Sequence, residues 1–120
     1  VPNPVTILVV EDEPLVREMM VMELEDAGFR VLAAEDGEAA MAMLAGAGPI
    51  DLLFTDIRLH SGPDGWAVAR QARALRPAIK IIYATGYVPD MPQLVEGSRF
   101  FKKPYLPSVV IGAMAEMLAA

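Results

Sequence analysis

The chain has no cysteine, a single histidine, and no apolar run approaching the ~20 residues that a membrane-spanning helix needs. Without cysteine there are no disulfides and no thiolate metal sites, and the zero count agrees with a reducing, cytoplasmic setting. His60 stands in a loop with no ligand-spaced partner, so a catalytic or metal role for it finds no support. Basic residues are also scarce. Ten of them face 16 acidic residues, for a net charge of -6, which argues against direct binding of nucleic-acid phosphates by this domain. Neither an initiator methionine nor a signal-peptide pattern precedes Val1-Pro2-Asn3-Pro4, so the chain is expected to be excised from a longer protein. Repeats, low-complexity tracts and interior linkers are missing as well. The 120 residues therefore read as one domain, residues 1–120 with a core of about residues 5–119. A chain of that length buries roughly two-thirds of its unfolded surface.

What is present is an alternation of two patterns. Residues 5–10, 52–54 and 80–83 are nearly continuous runs of Val, Ile and Leu, the composition of strands buried on both faces of a parallel sheet. Amphipathic stretches of helical period lie between them. The expected fold class is therefore α/β, a doubly wound five-stranded parallel sheet of flavodoxin-like (βα)5 type with strand order 2-1-3-4-5. Sheets of this kind hold ligands just beyond the carboxyl ends of their strands.

The first helix is expected after a cap at Asp12 or Glu13, with Pro14 in its first turn and Val16, Met20, Leu24 and Ala27 inward, ending at Gly28. A short strand over residues 30–34 leads to a helix capped by Asp36, with Ala40, Met43, Leu44 and Ala47 inward. The third strand, 51–55, presents Asp56. A Gly- and Pro-bearing loop, 59–65, precedes a helix from Trp66 to Leu75 that Pro77 stops. Residues 79–84 form the fourth strand with Thr85 at its tip, 98–102 the fifth, and Pro107 opens a last helix with Val110, Met114, Met117 and Leu118 inward. Between the fourth and fifth strands, Pro89 and Pro92 interrupt residues 86–97, leaving an abbreviated fourth helix of at most one or two turns around 93–96. With so little hydrogen-bonded backbone, that interval is expected to be the most mobile inside the chain.

Glu11-Asp12, Asp56, Thr85 and Lys103-Pro104 thus fall at the ends of different strands. The topology crowds three carboxylates together, and two unit charges ~4 Å apart repel by about 4 kcal/mol at an effective dielectric of 20. Such a cluster invites a divalent cation. With oxygen donors only, Mg²⁺ fits best, Mn²⁺ is admissible and Zn²⁺ is disfavoured. A carboxylate at such a site can act as a nucleophile toward phosphorus, with Thr85 and Lys103 placed to bind phosphoryl oxygens. Singly, each residue has a plainer reading: Glu11-Asp12 as a helix cap, Asp56 as a turn residue, Thr85-Gly86 as a strand exit. The combination points to phosphoryl acceptance.

Val9-Val10-Glu11-Asp12-Glu13-Pro14, Thr55-Asp56-Ile57-Arg58, Ala84-Thr85-Gly86 and Lys102-Lys103-Pro104 resemble the motifs of two-component response regulator receiver domains, from about residue 5 to the end of the chain. Tyr83-Ala84-Thr85-Gly86-Tyr87 is similar to the Phe-Ala-Thr-Gly type subgroup, and the loop after Asp56 is one residue longer than usual. The resemblance implies Asp56 as phosphoacceptor, with Glu11, Asp12, Asp56 and the backbone carbonyl of Arg58 as Mg²⁺ ligands. It also implies Thr85 as switch hydroxyl, Lys103 as phosphate-pairing amine, and Phe100 as the aromatic that changes rotamer, although static packing is the alternative for that ring. A cis Lys103-Pro104 bond is implied too. The expected donor is a histidine kinase or a histidine phosphotransfer protein, and a homodimer is compatible with the family. The implied role is a signalling domain without enzymatic turnover, either a regulator of its own or the receiver part of a hybrid kinase. The shortened fourth helix removes part of the usual output face.

Two other readings exist. A phosphohydrolase of the haloacid dehalogenase type also forms an aspartyl-phosphate, but it needs a second Asp two residues after its nucleophile, and Asp12 is followed two on by Pro14. A receiver-like interaction module that is never phosphorylated would have no need of the full acidic cluster, Thr85 and Lys103.

Overall fold

Five parallel strands pair in the order β2-β1-β3-β4-β5. They are β1 (Thr6–Val10), β2 (Arg30–Ala34), β3 (Leu52–Asp56), β4 (Lys80–Thr85) and β5 (Arg99–Lys102). The structure is a computed structural model and describes residues 4–86 and 93–119. Among the described residues four helices complete it: α1 (Pro14–Asp26), α2 (Gly37–Ala45), α3 (Gly65–Leu75) and α4 (Pro107–Ala119). The expected doubly wound architecture and strand order are both present.

The sheet's position follows from burial. Every residue of β1 and β3 is buried, as apolar runs flanked by strands on both sides require. Side chains alternate across the sheet, so β1 divides its core between two layers. Leu8 and Val10 face α2 and α3, where they meet Ala40, Leu44, Trp66, Val68, Ala69 and Ala72. Ile7 and Val9 face α1 and α4, against Met20, Leu24, Val110, Met114 and Met117.

Helix ends show where periodicity was extended too far. Glu13 is the N-cap residue of α1, yet its side chain makes no capping hydrogen bond, and neither it nor Asp12 caps in the expected way. Ala27 is exposed because it is the C-cap, one position past the last helical turn, before the chain reverses at Gly28 with φ 96°. Ala47 is likewise exposed, since α2 stops at Ala45 with Gly46 as its cap. Asp36 does cap α2, accepting from the Ala39 N–H at 2.8 Å. Asp64 caps α3 by accepting from the Ala67 N–H at 2.9 Å.

No helix occupies residues 93–98. The rest of the proline-bearing interval, residues 87–92, lies outside the described residues, so the expectation of a mobile connection falls partly there. The described half is held by side chains in place of a helical ladder. The Tyr83 hydroxyl accepts the Val95 N–H at 3.1 Å, the Ser98 hydroxyl donates to the Val95 carbonyl at 2.6 Å, and Arg73 donates to the Glu96 carbonyl at 2.9 Å. Among the described residues, no helix is long and apolar enough to cross a membrane.

Candidate functional site

Asp56 is the last residue of β3, paired in register with Ala84 of β4, and it is nearly inaccessible. Its backbone is fixed from two directions. The Thr55 hydroxyl donates to the Asp56 carbonyl oxygen at 2.8 Å, and the Gly65 N–H donates to the Ile57 carbonyl at 2.8 Å. The start of α3 therefore rests directly on the end of β3. A Cβ at residue 65 would lie 2.1 Å from the Asp56 carbonyl oxygen, so only glycine permits this approach.

Glu11 follows β1 and is buried. Its N–H donates to the Ala34 carbonyl at 3.1 Å, and its own carbonyl accepts from Arg17 of α1 at 2.8 Å, which aims the side chain across the carboxyl ends of the strands. The Glu13 N–H donates to Glu11 Oε2 at 3.1 Å. Asp12, half-buried, completes the acidic group: one carboxylate oxygen from each of Glu11, Asp12 and Asp56 lies within 4.8 Å of the others.

The Lys103 ammonium enters this group from the far side. Nζ donates to Glu11 Oε1 at 2.5 Å and to Asp56 Oδ2 at 2.8 Å. The remaining Asp56 oxygen, Oδ1, accepts from the Arg58 N–H at 3.3 Å. Burial alone would push the ammonium's pKa down, but the hydrogen bonds and charges of Asp56 and Glu11 more than offset it, and Lys103 is held above the ordinary lysine value. Burial raises the Glu11 carboxyl above its ordinary value, against the opposing hydrogen bonds from Lys103 and Glu13. The Lys103-Pro104 peptide is cis, as expected.

Thr85 closes β4, fully buried, with its carbonyl accepting from the Lys103 N–H at 2.8 Å. The strand that carries the hydroxyl is thereby tied to the residue that carries the amine. Lys102 is exposed, consistent with a solvated neighbour. Phe100 is half-buried against the α2/α3 layer and stands opposite Tyr83 in the β4–β5 register. A groove of about 310 Å³, lined by Val16, Met19, Lys103, Pro104 and Tyr105, opens beside the amine.

The structure thus gathers Glu11, Asp12, Asp56 and Lys103 at one point, with Thr85 joined to them through backbone and Phe100 half-buried on β5 against the α2/α3 layer. Two contributors were missed from sequence. Gly65 was read only as the end of a loop, although the Asp64-Gly65 pair before a helical pattern signals a cap followed by a close approach. Tyr83 was read as part of an apolar run, with no sequence signal for what its hydroxyl reaches.

Fused three-carboxylate clusters with oxygen donors only fit a hard divalent cation. The presence of Lys103 between two of them is consistent with that fit, since the ammonium supplies positive charge at the same carboxylates.

Comparison with known proteins agrees with this fold. A family model, response regulator receiver domain, matches residues 7–107. The chain is 31% identical over 119 residues to the response regulator receiver protein CpdR of Brucella abortus, covering 95% of this chain and 97% of that one. It is 37% identical over 93 residues to the transcriptional regulatory protein AruR of Pseudomonas aeruginosa, covering 74% of this chain but spanning only 37% of that protein's length. A crystal structure of a response regulator receiver protein from Sinorhizobium medicae superimposes with a TM-score of 0.93 at 37% identity, covering 98% of this chain and 97% of that chain.

Proposed function

Because the chain belongs to the response regulator receiver domain family, a family of phosphoaccepting signalling domains and not of enzymes, we propose that Asp56 is the residue that takes the phosphoryl group. The observation that carries this reading is the juxtaposition of Glu11, Asp12 and Asp56 oxygens within 4.8 Å, with the Lys103 ammonium 2.8 Å from Asp56.

Receiver domains take phosphate from histidine kinases or histidine phosphotransfer proteins. In the proposed transfer, an Asp56 carboxylate oxygen forms a bond to phosphorus as the bond from phosphorus to the donor imidazole nitrogen breaks. The bonding pair leaves with that nitrogen, which takes a proton from water. Asp56 is held for this by β3 and by the close seat of Gly65, so its direction is set before the donor arrives. Lys103 releases Asp56 and pairs with a phosphoryl oxygen, while the Thr85 hydroxyl donates to another. Glu11, Asp12, Asp56 and the Arg58 carbonyl would hold Mg²⁺, with Mn²⁺ as an alternative. Once bound, the cation offsets the charge of an anionic acceptor meeting an anionic donor.

The same reading takes residues 1–120 as one receiver domain working in the cytoplasm, and assigns it no contact with nucleic acid, in keeping with the net charge of -6. The test is transfer from a small phosphodonor with and without a chelator, in the wild-type domain and in Asp56→Asn. Label that requires the divalent cation and vanishes in the variant is expected. Undiminished label in Asp56→Asn would refute the assignment.

A further inference from the structure

Among the described residues Tyr83 is the largest fully buried side chain, yet its hydroxyl is not spent inside the core. It accepts the Val95 N–H at 3.1 Å, and Ser98 hydrogen-bonds to the same phenol. Ser98 in turn donates to the Val95 carbonyl, so one phenol and one hydroxyl organise the short stretch that feeds into β5. The ties of this stretch to α3 are different in kind. Arg70 to Gln93 and Arg73 to Glu96 are exposed hydrogen bonds at 2.9 Å each, open to competition from water. The connection from β4 is the better shielded, a part-buried hydrogen bond.

Two positions along β4 is Thr85, and residues two apart in a strand share a face. The Tyr83 ring also contacts Trp66, the only tryptophan in the chain, with centroids 4.8 Å apart and an interplanar angle of 57°. Across the sheet it stands opposite Phe100. We infer that Tyr83 is a positioning residue of the switch: its hydroxyl fastens Val95–Ser98 to β4, so that a displacement of Thr85 toward a phosphoryl group is carried by the strand to the chain entering β5. Phe100, which has no polar atom, follows this movement by packing and is not its source.

The inference rests on the reading of Asp56 and Thr85 given above, and the test separates the two. Wild-type and Tyr83→Phe domains are treated with beryllium fluoride and Mg²⁺, a stable mimic of the phosphorylated acid. Trp66 emission and amide exchange at residues 95–98 are recorded before and after. Parallel labelling with a small phosphodonor reports on Asp56 itself. Tyr83→Phe keeps the ring against Trp66, and label on Asp56 should match the wild type. Exchange at Val95 should quicken about fivefold, the effect of one part-buried hydrogen bond lost. The change that the mimic produces in Trp66 emission and in exchange at 95–98 should fall by more than half. Ser98→Ala, which loosens the same clamp without touching the core ring, should shift both readouts in the same direction by less.

A merely structural hydroxyl would loosen 95–98 equally with and without the mimic, and an undiminished mimic-dependent change in Tyr83→Phe would overturn the inference. Failure of the wild-type domain to take label at all would instead contradict the reading of Asp56, and the inference with it.

Discussion

Lys103 and Glu11, 92 residues apart in the chain, meet at 2.5 Å across the carboxyl ends of the sheet. The same ammonium holds Asp56, so the acidic group carries its own positive charge. That charge competes with any divalent cation for two of the three carboxylates.

Replacing Lys103 by methionine should therefore tighten Mg²⁺ binding, even though it removes a residue needed to hold phosphate. Two like unit charges ~4 Å apart repel by about 4 kcal/mol at an effective dielectric of 20. The Lys103 side chain is 21% exposed, and screening reduces the benefit. About a tenfold gain in affinity is expected, or about 1.4 kcal/mol. Calorimetric titration of Mg²⁺ at fixed ionic strength measures it, and equal or weaker binding in Lys103→Met would contradict the competition.

Glycine substitutions should sort by what surrounds them. Gly65→Ala drives a Cβ to 2.1 Å from the Asp56 carbonyl oxygen, a backbone atom that cannot swing aside. A loss of about 2–4 kcal/mol is expected, together with slower phosphorylation as the joint between β3 and α3 shifts. Gly112 lies within α4 with nothing within 4 Å of a new Cβ, and Gly112→Ala should stabilise by about 0.5–1 kcal/mol. Urea denaturation of both variants checks the contrast, and a neutral Gly65→Ala would show that the approach is not confining.

Alkaline pH should weaken the fold through Tyr105. Burial raises its phenol to about 12, with the nearby Lys103 charge pulling the other way. A folded pKa above the unfolded value of 10.0 means that the stability it contributes is fully present below pH 10.0 and is lost as pH rises through about 12. Tyr105→Phe preserves the edge-to-face contact with Phe54, whose ring centroid lies 5.6 Å away, and removes the titration. The variant should lose less stability than the wild type over that interval. Denaturation curves at a series of alkaline pH values would show parallel losses if the phenol were not involved.

Much of the site was legible because a polar residue ending a doubly buried apolar run has few structural reasons to be there. Asp56 and Thr85 could be placed on that ground and Lys103 by the Pro104 that follows it, and the parallel sheet makes their strand ends converge. The strand order came from the flavodoxin-like fold class to which the alternation of strands and helices points, and the sheet has it. What could not be read depends on where elements cross. Nothing near Gly65 in the chain announces that its α-carbon must pass the Asp56 carbonyl, and nothing near Tyr83 shows that its hydroxyl meets an amide 12 residues on. Ala27 and Ala47 were assigned inward because helical period has no means of marking its own last turn. Residues 93–98 carry no helix where at most one or two turns were expected, and the side-chain ties from Tyr83 and Arg73 that hold this stretch instead are long-range and left no local trace.

The most direct measurement is the position of the acyl phosphate. After reaction with a small phosphodonor and Mg²⁺, borohydride reduces an aspartyl-phosphate to homoserine, and peptide mass spectrometry locates the reduced residue. The account predicts homoserine at residue 56 and nowhere else, with none formed when the divalent cation is chelated. Reduction at Asp12, or phosphate retained on a serine or threonine with residue 56 unmodified, would contradict it.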